Sequence, residues 1–263
     1  MDINIRHEGR VLHITLCRAA KRNALTSEMC TGIVKAVGAG QNSKDTGAIL
    51  IDAEGHVFSA GMDLDEASRR DSVSRLAIHE KLFSLGSNSL KPIVISVGGH
   101  AMGGGLGLVA QGHVVLAATG SQFGLTEIRI GLWPFVVYRA VEVALGARRI
   151  QELALTGRFF STEDALAWGL IHQISPPQEL VERANAIATQ LAASSPDAIA
   201  LGMHYVRASR GKTWARAGQL ASAERSKLIQ SPDFKEGVAA FREKRNPHWP
   251  SMPKSFYKNR PID

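Results

Sequence analysis

The fold of this chain is decided by the stretch Pro92-Ile93-Val94-Ile95-Ser96-Val97-Gly98-Gly99-His100-Ala101-Met102-Gly103-Gly104-Gly105-Leu106-Gly107-Leu108-Val109-Ala110. Its first six residues are rich in β-branched side chains and predict a buried strand that ends at the glycines. The run Gly103–Ala110 then predicts a short buried helix, and His113–Ala118 predicts the next strand. Strands and helices that alternate in this way are typical of an α/β protein.

The pattern continues toward the N-terminus. Residues 3–16 alternate apolar and polar side chains around a turn, which predicts a hairpin. A helix begins at Thr26 or Ser27, either of which can cap it, and we expect Gly38 and Gly40 to stop it. The α/β pattern therefore fills the first two thirds of the chain.

The last third has a different pattern. From about residue 135 the apolar spacing is helical throughout, and Ser194-Ser195-Pro196 breaks a clearly amphipathic helix. Three further helices fit before Phe241, and a tail with four prolines begins at Asn246 and excludes regular structure. We therefore divide the chain into an α/β core, residues 1–195, and a helical C-terminal module with a Pro-rich tail, residues 196–263.

The charge and composition narrow the partners. Lysine and arginine number 31 against 24 aspartates and glutamates, and this net charge of +7 favours a polyanionic partner. Aromatic residues are only 6% of the chain and do not alternate with basic clusters, so we expect a phosphorylated small molecule and no nucleic acid. No stretch is apolar and long enough for a secretory signal or a membrane span, so we expect a cytoplasmic location and no membrane contact.

Cysteine usage points to neither metal nor disulfide. Cys17 and Cys30 are the only cysteines, and they do not have the spacing of metal ligands. We expect both to be reduced thiols, and we predict no metal site and no redox or covalent cofactor.

Two glycine-bearing segments close predicted strands and are the best candidates for a functional site. They are Phe58–Leu64 and Gly99–Gly105, about forty residues apart. Glycine there allows a ligand to approach the backbone closely, although glycine after a strand is also common in ordinary turns. Together these segments closely resemble the two oxyanion-hole segments of the enoyl-CoA hydratase/isomerase (crotonase) family.

Three further segments resemble the same family, in the family's order. Arg22–Leu25 is similar to its first CoA-contacting loop, Phe123–Glu127 to its catalytic-glutamate segment, and Glu236–Arg245 to its C-terminal helix. The resemblance thus covers most of the chain. It implies a spiral of ββα units, a homotrimer or homohexamer, a helical C-terminal region that helps to form the CoA site, and an acyl-CoA thioester as substrate with no separate cofactor.

The resemblance also assigns site residues. The backbone N–H groups of Met62 and Gly104 would hold the thioester oxygen of the substrate. Such preorganised donors stabilise the negative charge that develops on that oxygen, and loss of one donor typically costs about 10²- to 10³-fold in rate. The CoA-contacting set implied by the resemblance is Ala24, Leu25, Ala60, Asp63, Leu64 and Lys244.

Glu127 aligns with a catalytic glutamate of the family, and we assign it as the acid/base. A carboxyl group beside a dry acyl pocket can have a raised pKa, which suits this role. Without the resemblance, the alternative would be a surface glutamate that pairs with Arg129.

One position departs from the pattern of hydratases. Family hydratases carry a second glutamate in the other glycine segment, where this chain has Gly107. Addition of water commonly uses two carboxylates, whereas one base can shift a double bond by removing and returning a proton. The resemblance therefore favours Δ3,Δ2-enoyl-CoA isomerisation. Hydration stays open if Asp63, Asp65 or Glu66 supplies the second acid.

Other interpretations stay open. Trp133 and Phe135 line the acyl pocket or pack in the core, and His100 lies beside the oxyanion segment or satisfies backbone groups. Gly105–Ala110 formally matches a dinucleotide-binding pattern, but the predicted helix is short for a parallel crossover. A non-catalytic acyl-CoA-binding protein is a further alternative, and Glu127 is the residue that argues against it.

Overall fold

The computed structural model describes residues 2–68 and 73–258. The strands are β1 (Ile3–Glu8), β2 (Val11–Leu16), β3 (Ala48–Ala53), β4 (Val57–Ser59), β5 (Ile93–Val97), β6 (His100–Met102), β7 (Val114–Ala118), β8 (Gln122–Gly124), β9 (Phe159–Ser161) and β10 (Gln173–Ser175). The α-helices are α1 (Ser27–Asn42), α2 (Leu64–Ala67), α3 (Val73–Leu82), α4 (Leu85–Asn88), α5 (Gly104–Val109), α6 (Phe135–Leu145), α7 (Ala147–Thr156), α8 (Thr162–Ala167), α9 (Pro177–Ala192), α10 (Pro196–Ser209), α11 (Trp214–Gln230), α12 (Pro232–Glu243) and α13 (Lys254–Lys258). Short 3₁₀ helices cover Ala19–Lys21 and Glu127–Ile130.

The strands form two sheets. The six-stranded sheet has the order β1-β2-β3-β5-β7-β10; β1 and β2 form the predicted antiparallel hairpin, and the other pairs are parallel. The four-stranded sheet has the order β4-β6-β8-β9, in which only the β8–β9 pair is antiparallel. Parallel strands of this kind need a crossover between them, which the intervening helices supply.

The chain alternates between the two sheets in a repeated unit. β3 and β4, β5 and β6, and β7 and β8 each place one strand in either sheet before the chain turns into a helical segment. Because the matching strands of successive units pair in parallel, the units stack as a spiral. The predicted α/β spiral of ββα units with helices at the C-terminus is confirmed.

Both faces of the central strands of the six-stranded sheet are buried. On β3, Leu50 packs against Leu180 and Ala184 of α9, whereas its neighbour Ile49 belongs to the larger core, which also contains Phe123 of the second sheet. A strand buried on both faces is apolar at nearly every position, as a parallel strand between two layers requires.

The first helix is longer than predicted. Thr26 caps α1 as expected, since its side chain accepts a hydrogen bond from the amide of Met29 at 3.2 Å. The prediction that Gly38 and Gly40 stop the helix is wrong, because α1 continues to Asn42. Gly40 lies against β2 so closely that an added Cβ would be 2.7 Å from Cδ2 of Leu12, so this glycine serves packing rather than termination.

Two other expectations about the last third are wrong. The pattern after residue 135 is not helical throughout, because β9 and β10 interrupt it; three residues each are too few to show the period of a strand. The tail is also not free of regular structure, since α13 follows Pro253, and a proline is tolerated at the start of a helix. The break after α9 and the three helices α10 to α12 are confirmed, although α12 runs past the expected bound at Phe241 to Glu243. Among the residues described, no helix is both long and apolar enough to cross a bilayer.

Candidate active site

Three adjacent parallel strands end at one edge of the four-stranded sheet. β4, β6 and β8 pair in that order, and each runs into one of the segments selected from the sequence. Met62 follows β4, Gly103 and Gly104 follow β6, and Glu127 follows β8. Since the carboxyl ends of parallel strands meet at one edge, the fold gathers residues that are up to 65 positions apart.

The backbone amides of Met62 and Gly104 face the same small space. A Cβ built on Gly104 would be 3.2 Å from the amide nitrogen of Met62, and one built on Gly61 would be 3.3 Å from that of Gly104. The two segments approach this closely because Gly61 and Gly103 have positive φ angles of 103° and 51°, which side chains other than hydrogen strongly disfavour.

Neither amide donates a hydrogen bond to another residue in the part of the chain that the structure describes. The amide of Leu25 donates to the Gly61 carbonyl, and the amide of Asp63 donates to the Leu25 carbonyl. These two hydrogen bonds form the bridge between the loops and do not involve the Met62 amide. Gly104 is the first residue of α5, where an amide has no acceptor inside its own helix. Two donors are therefore available to one oxygen atom.

Glu127 lies beside these donors. A Cβ built on Gly103 would be only 2.8 Å from Oε1 of Glu127, so glycine at this position makes room for the carboxylate. Oε2 is buried and has no hydrogen-bond partner among the described residues. Burial raises the pKa of the Glu127 carboxyl above its ordinary value. Arg129 stacks its guanidinium over the ring of Phe159, 4.6 Å from its centroid, so the alternative of a Glu127–Arg129 surface pair is wrong.

Gly107 has no space for a side chain. It is buried in α5, and an added Cβ would be 2.7 Å from Cγ1 of Val137 and 2.8 Å from Cε1 of Phe83. The two neighbouring side chains are themselves buried in the main core. At this position the chain therefore lacks a carboxylate, and apolar groups occupy the volume that one would need.

The first loop is joined to the oxyanion segment by backbone hydrogen bonds. The amide of Ala60 donates to the Arg22 carbonyl at 2.9 Å, and Leu25 pairs with Met62 in a parallel bridge. Leu25, Ala60, Asp63 and Leu64 line the same cavity as Met62 and Gly104, whereas Ala24 does not line it. The fold thus brings four of the six predicted CoA-contacting residues together.

Asp63 has a structural task. Its carboxylate caps α2 by accepting hydrogen bonds from the amides of Asp65 and Glu66, and it pairs with Arg18 at 2.7 Å. The hydrogen bond from Arg18 lowers the pKa of the Asp63 carboxyl. A carboxylate held in its charged form is a poor proton donor, so Asp63 does not fit the part of a second acid.

Arg18 is a residue that the sequence analysis missed. Its guanidinium also donates to the carbonyl of Ala24 at 3.0 Å, so it links the first loop to the oxyanion segment. We expect Arg18→Met to lower the free energy of unfolding by about 1–3 kcal/mol, because it leaves a buried carboxylate and a carbonyl without their donor. Urea denaturation measures this change.

The pH dependence of this effect is also defined. Because the folded pKa of Asp63 is lowered, the stabilisation from Arg18 is present at neutral pH and is lost as the pH falls through that pKa, below the ordinary value of about 4. The control is Arg6→Met. Arg6 pairs with Glu8 at an exposed site, and such an ion pair contributes less than about 1 kcal/mol to the free energy of unfolding. Equal losses of stability in both variants would contradict the assignment.

These residues line a cavity of about 380 Å³. Besides Glu127, its ionisable side chains among the described residues are Asp63, Glu66 and His79. Glu66 accepts hydrogen bonds from the amide and the hydroxyl of Ser27, at 2.9 Å and 2.6 Å. His79 is buried, and no sequence motif marked it because α3 reaches the cavity only through the tertiary fold.

The aromatic pair predicted for the acyl pocket lines the cavity. Trp133 is partly buried and stacks on Tyr138 with ring centroids 5.8 Å apart. Phe135 is exposed, so the alternative that both rings pack in the core is wrong for Phe135. His100 accepts a hydrogen bond from the amide of Gln122 at 3.1 Å, which confirms the interpretation that it satisfies the backbone.

The remaining predicted residues lie elsewhere. Lys244 directly follows α12 at an exposed position outside the cavity, so its assignment to CoA stays a prediction. Arg245, beside it, makes a bidentate ion pair with Glu236. Cys17 and Cys30 are free thiols, and burial raises the pKa of Cys30 to about 12. Within the described ranges no cluster of side chains could hold a metal ion.

Two available backbone amides beside a buried carboxylate define a class of site. Two neighbouring amide donors can hold one oxygen atom, as in an oxyanion hole, and a carboxylate with a raised pKa can act as a general base. Such a site suits two kinds of reaction on a carbonyl substrate. In one, a proton is removed next to the carbonyl carbon; in the other, a group is added there.

Comparison with known proteins gives the family. The enoyl-CoA hydratase/isomerase family model matches residues 6–252, and the chain belongs to this family. It is 31% identical to mevalonyl-coenzyme A hydratase of Aspergillus fumigatus over 91% of both chains. It is also 31% identical to enoyl-CoA hydratase domain-containing protein 3 of Rattus norvegicus, over 93% of this chain and 83% of the relative. The crystal structure of enoyl-CoA hydratase from Mycobacterium smegmatis superposes with a TM-score of 0.89 and 26% identity, over 95% of this chain and 99% of that one.

Proposed function

We propose that the protein is an enzyme that shifts the double bond of an enoyl-CoA from the 3 to the 2 position. The observation that carries this proposal is the apolar packing around Gly107. Glu127 lies beside the two available amides, and Phe83 and Val137 occupy the place of a second carboxylate. A site with one well-placed base supports a proton shuttle more readily than an addition of water.

The proposed mechanism uses three groups of this chain. The carboxylate of Glu127 removes a proton from C2 of the 3-enoyl thioester, and the electrons delocalise onto the thioester oxygen as a dienolate. The amides of Met62 and Gly104 stabilise that oxygen by hydrogen bonds. Glu127 then returns the same proton to C4, which leaves the double bond between C2 and C3. No atom is gained or lost.

The environment of Glu127 favours this shuttle. A buried carboxylate is poorly solvated in its charged form, so its raised pKa makes it a stronger base toward the weakly acidic C2 proton. Its oxygen Oε2 has no competing donor among the residues of the described ranges, so the group is free to alternate between two carbon atoms. Much of the cavity lining is apolar, which disfavours water that would otherwise protonate the dienolate.

Hydration of a 2-enoyl-CoA is the second candidate function. The reported relatives carry hydratase in their names, and Glu66 lines the same cavity as Glu127. In that mechanism Glu66 would supply the second acid from α2 instead of α5. Four further points stay predictions. The CoA contacts of the first loop and Lys244 and the homotrimer or homohexamer come from the family resemblance. The division at residue 195 and the cytoplasmic location come from the pattern and composition of the chain.

A paired assay separates the two candidates. With a 3-enoyl-CoA we expect conversion to the conjugated 2-enoyl thioester, which is measured by its absorbance. With crotonyl-CoA we expect hydration to be slower by at least about tenfold, since a second acid contributes about 10²-fold or more. Glu66→Gln is the accompanying variant. Fast hydration that Glu66→Gln abolishes, without isomerisation by the wild type, would replace the isomerase proposal by the hydratase.

A further inference from the structure

A second cavity lies at the edge of the six-stranded sheet opposite the one that leads to the candidate active site. It has a volume of about 400 Å³, and among its lining residues Arg10, Gly47 and Lys91 precede strands β2, β3 and β5. These strands are parallel, so their amino ends meet at one edge. At the other end of β2, Arg18 reaches the first cavity through Asp63. The described residues that line the two cavities are entirely different.

Two cationic side chains of the second cavity have no carboxylate partner among the described residues. Arg10 is only 7% exposed, and its guanidinium donates to the carbonyls of Ala192 at 3.2 Å and Lys44 at 2.7 Å. The ammonium of half-buried Lys91 donates to the carbonyl of Gly40 at 2.8 Å and to that of the residue that follows α1. These acceptors are neutral, so both charges are withdrawn from water without an ion pair.

Several donors of these side chains are left without an acceptor. A guanidinium has five N–H groups and an ammonium three, and each side chain uses two of them. The ring centroid of Phe256 lies 5.8 Å from the Arg10 guanidinium, which adds a cation–π contact but no acceptor oxygen. Thr46 lines the same cavity, is 1% exposed, and has a hydroxyl without a hydrogen-bond partner in the described ranges. A ligand with several oxygen atoms would complement these donors.

The helix ends around the cavity balance only part of the positive charge. The bonded carbonyls lie at the C-terminal ends of α1 and α9 or just beyond them. Each helix end carries about half a negative charge, so the two ends offset about one of the two positive charges. Burial and the charge of Arg10 lower the pKa of Lys91 to about 8. A bound anion would therefore stabilise the pair.

Two acidic side chains near the cavity do not serve as counter-ions. Asp45 is exposed and makes no ion pair with either cation among the described residues, and the adjacent Lys44 offsets its charge. Asp197 lines the cavity, but burial and the charge of Asp233 raise the pKa of its carboxyl, and neither cation counteracts that shift. Asp197 is thus too distant from the pair to neutralise it.

We infer that this cavity binds a phosphate group between Arg10 and Lys91. The guanidinium fork offers parallel N–H groups to two oxygens of an oxyanion, and the remaining oxygens match the Lys91 ammonium and the Thr46 hydroxyl. A carboxylate has only two oxygens and would leave donors unused. The same chemistry suits free phosphate and a phosphate monoester, and it accounts for part of the phosphorylated partner that the net charge of +7 favours. The inference is independent of the proposed reaction.

Calorimetric titration with inorganic phosphate and with glycerol 3-phosphate tests the inference and separates the two sources. The full chain is saturated with butanoyl-CoA, so that the CoA site is occupied, and is kept in chloride buffer at constant ionic strength. We expect one phosphate group to bind per chain. Lys91→Met is expected to weaken this binding about tenfold or more, because it removes a charge-assisted hydrogen bond.

The companion variants separate binding from a loss of structure. Lys91→Arg keeps the charge and the donors and is expected to retain binding. Lys35→Met is the matched control, because Lys35 is exposed on α1 and does not line the cavity, and it is expected to have no effect. Phosphate is also expected to raise the urea midpoint of wild type and Lys35→Met more than that of Lys91→Met, since a ligand stabilises the folded state according to its affinity.

Three results would overturn the inference. The first is that neither compound binds, and the second is that Lys91→Met binds as tightly as wild type. The third is that phosphate binds only when butanoyl-CoA is absent, because it then occupies the CoA site. Tighter binding of glycerol 3-phosphate would identify a phosphate monoester as the ligand, and tighter binding of inorganic phosphate would identify the free ion.

Discussion

Glu127→Gln is expected to lower the turnover of a 3-enoyl-CoA by about 10²- to 10⁴-fold, the usual contribution of a positioned acid/base group. The amide has nearly the shape of the carboxyl group but cannot accept the C2 proton. Binding of a saturated acyl-CoA is expected to stay within about twofold of wild type, because the amides of Met62 and Gly104 are untouched. Steady-state kinetics and calorimetry measure the two effects.

Although Glu127→Gln lowers turnover, it is not expected to destabilise the folded protein. Burial raises the pKa of Glu127, so the charged form is less favourable in the folded than in the unfolded chain. This penalty is absent below the unfolded pKa and is present once the pH exceeds the folded pKa. Glu127→Gln is therefore expected to be at least as stable as wild type at neutral pH in urea denaturation.

The pH profile provides a further check. The base must be deprotonated in the free enzyme, so kcat/KM is expected to fall on the acid side at a pH above the ordinary glutamate value of about 4.3. Glu182→Gln, on the exposed face of α9, is the control and is expected to change neither turnover nor stability. Full activity of Glu127→Gln would show that the carboxylate is not the base.

Gly107→Glu is expected to lower the free energy of unfolding by about 3 kcal/mol or more. The added Cβ alone would lie within 2.8 Å of Val137 and Phe83, and overpacking a core costs about 1–3 kcal/mol before the buried charge is counted. We also expect no gain of hydratase activity, since Phe83 and Val137 occupy the space that the new carboxylate would need. Urea denaturation and the crotonyl-CoA assay measure both outcomes.

A pair of alanine variants isolates the packing effect. Gly107→Ala is expected to destabilise the protein by about 1–3 kcal/mol, because it adds the clashing Cβ alone. Gly38→Ala is the matched control in α1, where an added Cβ meets nothing within 4 Å, and it is expected to stabilise by about 0.5–1 kcal/mol. A Gly107→Glu protein with wild-type stability and new hydratase activity would show that Phe83 and Val137 do not close this position.

The fold class and the main site segments could be predicted from the sequence because they depend on local signals. The β-branched run ending at Val97 forms β5, and the glycines after it permit the backbone turn at Gly103. The assignment of Glu127 depends on the resemblance of its segment to the family's catalytic-glutamate segment, and its role stays a prediction. The strand and the glycine turn each lie within one short stretch of sequence, so their prediction needs no knowledge of distant contacts.

The missed features depend on contacts between distant parts of the chain. Arg18 meets Asp63 across 45 positions, and His79 reaches the cavity only because α3 packs beside α1. The packing of Phe83 and Val137 against Gly107 also depends on tertiary contacts. The sequence alone shows only that position 107 is glycine where family hydratases carry a glutamate. Strands of three residues, such as β9, are shorter than the window in which alternation can be recognised.

The order of strands β4, β6 and β8 has a consequence for how such an enzyme can evolve. Each strand delivers one part of the site, and neighbouring strands are only about 4.8 Å apart, so the parts meet although each belongs to a separate turn of the spiral. A substitution after β8, or in the helix after β6, alters the proton-transfer group while the amide of Met62 after β4 keeps its place. A single replacement on one turn of the spiral can therefore change the proton-transfer group without moving the Met62 amide, which belongs to another turn.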